Sequence, residues 1–465
     1  MRSLCLLFFI FGALLLQGQG YEIKGKIKGW KDTVVYLGNY YADKTVVKDT
    51  SRINARGEFV FKGSKALPGG IYLIVTPDKK FFEILADGSQ TFSLETDTAD
   101  FIKHMKIKGS QENILFYQYL TFVAAKQKIA EPLRKKLEAN PPEQEKELLR
   151  KELGAVEKEV KEYKKDYAAK NPSHLLSKIL KITLDVEIPE TPLLPNGKKD
   201  STFPYRYYKS HFWDMIDLSD DRLIRTPVLA QKIKFYLEKM VVQVPDSITK
   251  EADYLAGLAR PGGDIFKYVV YYVTYTYETS NLMGMDAVFV HMVNQYYKTG
   301  KAFWVDSLQL KKIIDRGKIL EPLLLGKKAP NVILPDTTAR VLKSLHDVKA
   351  NLTILFFWEP GCSHCQKEAP KLKALYDKYK KEGVEVFAVD IEANMEEWKG
   401  FIKKHSLNWI NTANLFKHYY FREMYDIYST PVIYLLDRDK IIRAKRLNVD
   451  QLEGFIKHLL KEDKK

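Results

Sequence analysis

The chain has 465 residues, 45% of them apolar and 29% charged, with a formal net charge of +15. That length exceeds what one hydrophobic core fills, since cores stop growing at about 250–300 residues, and the apolar share excludes disorder as the main state. A basic surplus can serve nucleic acid or an anionic membrane face, but here lysines alternate with glutamates, as over 143–165, in the manner of solvated helix faces, so no nucleic-acid partner is expected.

Residues 1–20 stand apart. Arg2 precedes an apolar run over 4–16, and Gly18 and Gly20 follow at the spacing a signal peptidase reads. The segment is predicted to be a secretory signal cut after Gly20. The apolar run is shorter than the roughly 20 residues of a spanning helix, and no other stretch is as apolar, so no stable membrane span is expected after cleavage. Cys5 leaves with the signal. Two cysteines then remain, Cys362 and Cys365. An exported protein stapled by disulfides would spread cysteines along its length; this one keeps a single C-x-x-C pair.

From 21 to about 110 the pattern is short strands rich in β-branched and aromatic residues: 21–28, 33–40, 45–50, 58–61, 71–76, 81–85, 91–95 and 102–107. Turn signals such as Asp87-Gly88 and Pro68-Gly69-Gly70 separate them. This spacing predicts an all-β, sandwich-like module, with no cluster of catalytic or ligating side chains.

From 111 to about 325 the period is helical. Two long helices, 111–139 and 144–169, flank Asn140-Pro141-Pro142 and suggest an antiparallel hairpin. A polar loop is expected near 188–206, followed by helices near 227–244, 248–258, 264–279 and 283–299. The tyrosines of 268–277 read as a packing face. His211, Asp214 and His291 read as isolated polar residues, and no metal site is expected.

The third segment, 326–465, begins with an extended stretch at 331–335. The run 352–358 is continuously apolar, as a strand covered on both faces should be. A helix is expected over 363–382, a second buried strand over 384–390, helices over 395–405 and 414–425, a strand pair at 431–436 and 441–447, and a last helix at 450–460. Helices on both faces of a mixed sheet give an α/β domain. The chain as a whole is therefore predicted to be multidomain: β module 21–110, helical region 111–325, α/β domain 326–465.

The chemistry lies where the strand ending at Trp358 turns into the helix beginning near Ser363. Unpaired N–H groups and the helix dipole at that start stabilise a thiolate, the reactive form of cysteine. Cys362 is expected to attack. Cys365, one turn in and more covered, is expected to resolve the mixed disulfide. Half of a zinc site has the same C-x-x-C spacing, but zinc takes four ligands and no second cysteine pair exists.

The segment Phe356-Phe357-Trp358-Glu359-Pro360-Gly361-Cys362-Ser363-His364-Cys365-Gln366-Lys367-Glu368-Ala369-Pro370 resembles the active site of the TlpA-like branch of the thioredoxin superfamily. Pro370 matches that family's helix-bending proline, and Thr430-Pro431 matches its cis-proline loop, which implies that Thr430 and Pro431 contact substrate. Trp358 matches a family tryptophan of the binding wall. Glu368 matches an acidic residue that some members use to handle protons near the buried cysteine. His364 stands where a histidine goes with a stabilised thiolate. Gly361 departs from the tryptophan many relatives place there. Glu359 stands where peroxiredoxin-like relatives need a threonine, so peroxidase activity is not expected. The β and helical segments are similar in layout to the extensions of Bacteroidetes-type envelope proteins.

The resemblance implies a thiol–disulfide oxidoreductase of the periplasm or cell envelope. It would act on protein thiols and disulfides with an envelope electron donor or acceptor, and without a cofactor beyond the Cys362–Cys365 disulfide. The rival reading is an envelope binding or scaffold protein whose thioredoxin domain is accessory or inactive.

Overall fold

The structure, a computed structural model, describes residues 20–462 apart from 393, 416 and 418. The expected signal over 1–19, with Cys5, lies outside the described residues. The chain forms two compact units. One runs through residue 240 and includes 255–268; the other contains 241–254 and the chain from 269 onward. The helical stretch expected at 111–325 is thus shared between the two.

The first unit opens with eight strands: β1 (Tyr21–Lys28), β2 (Thr33–Tyr41), β3 (Lys44–Ile53), β4 (Glu58–Gly63), β5 (Gly70–Val75), β6 (Phe81–Ala86), β7 (Thr91–Asp97) and β8 (Lys106–Lys108). They form two four-stranded sheets, ordered β4-β1-β7-β8 and β3-β2-β5-β6. The alternation of β1 and β7 turns Ile23, Ile27, Phe92 and Leu94 inward, where they share one core with Leu37 and Ile74 of the other sheet. This is a sandwich, in which successive side chains divide between core and solvent. The strand expected over 102–107 is mostly a turn. The Asp100 carboxylate accepts the N–H groups of Ile102 and Lys103 at 3.1 and 2.9 Å, and only Lys106–Lys108 pairs with β7.

Helices α1 (Gln111–Glu138) and α2 (Glu143–Lys170) form the hairpin. Phe122 stacks on Tyr163 at 4.4 Å between centroids. The turn holds Asn140 at φ 53°, a left-handed conformation that asparagine tolerates. Three short helices follow: α3 (Leu175–Ile182), α4 (Phe203–Ser210) and α5 (Leu229–Phe235). The first was not expected, and α4 begins inside the predicted loop. Helices α6 (Pro245–Leu258) and α7 (Asp264–Glu278) each divide between the two units.

The second unit continues with α8 (Asp286–Met292) and α9 (Ser307–Leu320), then a small hairpin, β9 (Ile333–Pro335) and β10 (Leu342–Ser344). Its centre is a five-stranded sheet of β11 (Leu352–Trp358), β12 (Val384–Asp390), β13 (Ile410–Ala413), β14 (Val432–Leu436) and β15 (Ile442–Lys445), ordered β13-β12-β11-β14-β15. β11, β12 and β13 are parallel; β14 and β15 are antiparallel to their neighbours. Strand β11 is buried along its whole length. Leu352, Ile354, Phe356 and Trp358 enter the core on one face of the sheet, and Leu355 and Phe357 the core on the other. The central strand therefore carries no polar side chain but Thr353, as the apolar run predicts.

Four helices complete the unit: α10 (Ser363–Tyr379), α11 (Met395–Lys404), α12 (Phe421–Met424) and α13 (Val449–Glu462). Both edges of the sheet are covered. Residues 326–329 run along β15, where Gly326 N–H reaches the Ile442 carbonyl at 2.9 Å, Ile442 N–H the Lys327 carbonyl at 2.8 Å and Ala329 N–H the Lys440 carbonyl at 2.9 Å. At the other edge Asp336 bridges Thr412 of β13.

Candidate active site

Cys362 is the N-cap of α10, with extended backbone angles (φ −78°, ψ 121°). Strand β11 ends four residues earlier, and the linker 359–361 is held by two bonds. Cys362 N–H donates to the Glu359 carbonyl at 3.3 Å, and the Gln366 amide donates to the Pro360 carbonyl at 2.9 Å. As the N-cap residue, Cys362 stands beside the free N–H groups of the first helical turn. Cys365, one turn on, is fully buried. Both are free thiols.

Facing them is the loop before β14. The Thr430–Pro431 peptide bond is cis, as the sequence predicts. The Cys362 thiol donates to the Thr430 carbonyl at 3.3 Å, and the Thr430 hydroxyl donates to a Glu359 carboxylate oxygen at 2.9 Å.

These surroundings separate the two thiols. Burial works against ionisation of Cys362, but hydrogen bonding from Thr430, from the Cys365 backbone and thiol and from the His364 N–H outweighs it and holds the thiol below its ordinary value. Burial also acts on Cys365, and there it wins. Thr430 and the Glu359 backbone favour the thiolate, the neighbouring Cys362 disfavours it, and the thiol is pushed up to about 12. Burial and competing hydrogen bonds are the two physical causes.

The remaining predicted residues divide. His364 is exposed, and its part in tuning Cys362 is its backbone N–H. Trp358 is a correction. It is fully buried, stacked parallel to Phe356 and tilted against Phe401 at 5.1 Å, because the strand that carries it is covered on both faces. It is a core residue and offers no wall to a substrate. Glu368 has partners of its own. Its carboxylate accepts the Val449 N–H at 3.0 Å and pairs with Lys371 at 3.0 Å, so it serves the start of α13. It is nevertheless one wall of a cleft of about 470 Å³ beside Pro431, which Tyr428, Arg446 and Arg316 also line.

Two residues at the site escaped the sequence reading. By sequence Glu359 marks only a departure from a threonine; the signal available is an ionisable side chain three residues before Cys362. Arg316 lies on α9, outside the predicted catalytic domain. Its guanidinium donates to Asp426 at 3.0 Å and covers Tyr428 at 5.3 Å. The Asp426 side chain is fully buried and is also paired with Arg446. No local signal could have joined these, since 110 residues separate Arg316 from Asp426. The other polar residues singled out from sequence pair with carboxylates: His211 with Asp214 at 2.6 Å and His291 with Asp253 at 2.9 Å. Among the described residues no His, Cys, Asp and Glu group has the form of a metal site.

Comparison with known proteins follows this geometry. Residues 325–445 match the AhpC/TSA family, and residues 21–116 and 149–321 match two domains of unknown function (DUF4369 and DUF5106). The thiol-disulfide oxidoreductase ResA of Bacillus cereus is 30% identical over 142 residues, which is 30% of this chain and 80% of the relative. The Bacillus subtilis protein of the same name is 28% identical over 26% of this chain and 65% of its own. Among solved structures, a domain of possible thiol-disulfide isomerase from Cytophaga hutchinsonii is 45% identical, covering 31% of this chain and 97% of that one, with a TM-score of 0.29.

Proposed function

Since the chain belongs to the thioredoxin-fold thiol–disulfide oxidoreductases, we propose that Cys362 is its attacking thiol and Cys365 its resolving thiol, acting on protein disulfides or dithiols in the cell envelope. The observation that carries the assignment is the asymmetry of the pair. Cys362 is partly exposed with its ionisation favoured, and Cys365 is buried with its ionisation opposed. In the reductive direction the Cys362 thiolate attacks a substrate sulfur, forms a mixed disulfide and expels the other substrate thiol. Cys365 then attacks Cys362 and releases the substrate. The two cysteines supply both electrons, so the exchange needs no cofactor.

The cis-proline loop and the Thr430 carbonyl, which already meets the Cys362 sulfur, form the strip along which an extended substrate segment pairs. An envelope location is supported by the signal-like residues 1–20, whose removal would take Cys5 and leave one cysteine pair. No helix of the described residues is long and apolar enough to cross a membrane.

The test is trapping. Cys365→Ser accumulates mixed disulfides with envelope proteins, because Cys362 attacks and nothing resolves the product; Cys362→Ser accumulates none. Equal trapping by both variants refutes the assignment of roles.

A further inference from the structure

The loop that faces the cysteines, residues 425–431, joins α12 to β14. Its first residue is tied to the sheet, since the Tyr434 hydroxyl donates to the Tyr425 carbonyl at 2.9 Å. Its working end is Thr430, whose carbonyl accepts the Cys362 thiol at 3.3 Å. Between these points, arginines from other elements hold Asp426 and Tyr428. The buried Asp426 carboxylate pairs with Arg316 of α9 and with Arg446, which follows β15. Asp426 and Arg446 both take the left-handed backbone conformation, each at φ 56°, which persists only where the surroundings hold it. The exposed ring of Tyr428 meets the Arg316 guanidinium at 5.3 Å and that of Arg422 at 4.9 Å. Arg422 belongs to α12 and moves with the loop, whereas Arg316 ties the loop to α9. That helix is a firm anchor. A Cβ at Gly317, the next residue, would come within 2.8 Å of the Val293 side chain, and Leu320 shares a core with Val293 and Phe289. One side chain therefore grips the loop at two points, four and two residues before Thr430.

We infer that Arg316 is a positioning residue for disulfide exchange. It sets the path of residues 426–430, and so the place at which the Thr430 backbone meets an incoming peptide beside Cys362. The inference rests on the reading, given above, of the cis-proline loop as the strip along which substrate pairs. Backbone pairing needs donors and acceptors within narrow limits of distance and angle, and a loop supplies them only when its path is fixed. A buried carboxylate must stay paired, which draws Asp426 to the two arginines. The guanidinium is a flat fork, so one arginine can pair with a carboxylate and also lie against an aromatic ring. Arg316 does both, and Glu278, the last residue of α7, lies 4.0 Å from its Nε. Without Arg316, Asp426 keeps Arg446 and the domain keeps its core, but the tie between Tyr428 and α9 is gone. Arg316 touches no reacting sulfur; it acts through the loop. The helices ahead of the catalytic sheet thereby take part in how substrate is received.

The experiment uses the reduced full-length protein in single turnover with two disulfides. One is the symmetrical disulfide of an uncharged hexapeptide with a central cysteine, which can pair along the strip. The other is 2-hydroxyethyl disulfide, which has no peptide backbone. The second-order rate at which each oxidises the Cys362–Cys365 pair is measured by acid quench and mass, and the ratio of the two rates is the readout. In Arg316→Ala the ratio should fall about tenfold, the equivalent of one lost backbone hydrogen bond. Arg316→Lys keeps a cation beside Asp426 but sets no flat group on Tyr428, and should lower the ratio about threefold even where Arg316→Ala does not fold. When Arg316→Ala is combined with Tyr428→Ala, the loss should be smaller than the product of the two single losses, as for residues that share a contact. A merely structural role slows both disulfides equally and leaves the ratio alone, and that result overturns the proposal. A ratio within twofold of the parent in Arg316→Lys overturns it as well, and so does a double-variant loss equal to the product. Oxidation of Cys365 retained in Cys362→Ser with either disulfide strikes the underlying assignment of the attacking thiol instead.

Discussion

Cys365 should be almost inert to alkylation at neutral pH even when Cys362 is absent. The perturbation is Cys362→Ser in the reduced protein. Burial is the first cause of the raised Cys365 value, and the contributions of Cys362 rank last, so the variant keeps most of the rise. A thiol that titrates at about 12 is ionised to roughly 10⁻⁵ at pH 7, against about 3% for a free thiol of pKa about 8.5. Since the thiolate is the nucleophile, iodoacetamide should label Cys365 roughly 10³-fold more slowly than a free cysteine, and burial of the sulfur slows it further. Cys362 in the Cys365→Ser variant should label faster than a free cysteine, with its midpoint below the ordinary thiol value. The assay is timed alkylation from pH 5 to 11, with each site quantified by peptide mass. A folded Cys362→Ser protein that labels within tenfold of a free thiol at pH 7 refutes the argument from burial.

The same thiol gives a pH dependence of stability. Its folded value lies above its unfolded one, so its contribution is fully present below about pH 8.5 and is lost toward 12 at up to about 1.4 kcal/mol per pH unit; urea titrations of the reduced protein should show this slope and Cys365→Ser should lack it. Asp426→Ala leaves Arg316 and Arg446 around an empty buried site and should cost about 3–5 kcal/mol, as breakage of a buried ion pair does. An unchanged urea midpoint for the second unit contradicts the buried pairing. Trp358→Ala should cost about 3–5 kcal/mol as a core cavity, while Trp358→Phe, if it folds, should leave glutathione adduct formation at the parental rate; a selective loss of adduct formation would restore Trp358 as a binding residue. Glu368→Gln should weaken the start of α13 by about 0.5–1 kcal/mol, seen as faster amide exchange at Val449, without moving the Cys365 alkylation profile.

What could be read from the sequence depended on how local the cause was. Strand β11 was legible because seven consecutive buried residues leave no solvent face. The start of α10 was legible from the strand-to-helix junction around Cys362. The helix expected over 414–425 reduces to Phe421–Met424, because the Asn414 amide donates to the Tyr419 carbonyl at 2.9 Å and closes a loop instead. That is the usual competition of a short polar side chain with helix bonding. Helix α3 was missed although six of its eight residues are buried and its apolar residues, Leu175, Leu176, Ile179, Leu180 and Ile182, share one side; eight residues are too few for a helical period to stand out in a window of the usual length. Trp358 was misassigned by resemblance when the apolar run that contains it already implied burial. Arg316 was beyond reach, since its role exists only once α9 and the loop before β14 are folded together.

The strip of chain at 326–329 has a consequence for how the catalytic part is cut out of the whole. Its backbone bonds, two to Ile442 of β15 and one to Lys440 just before it, occupy donors and acceptors that would otherwise form an open template for another strand, and such templates recruit neighbouring chains. A fragment beginning at Ala329 or later would keep both cysteines and the cis-proline loop and still present a raw border on β15. It would pair border to border and come off a sizing column larger than its mass. One that starts at Glu321 would bring its own selvedge and run as a single copy.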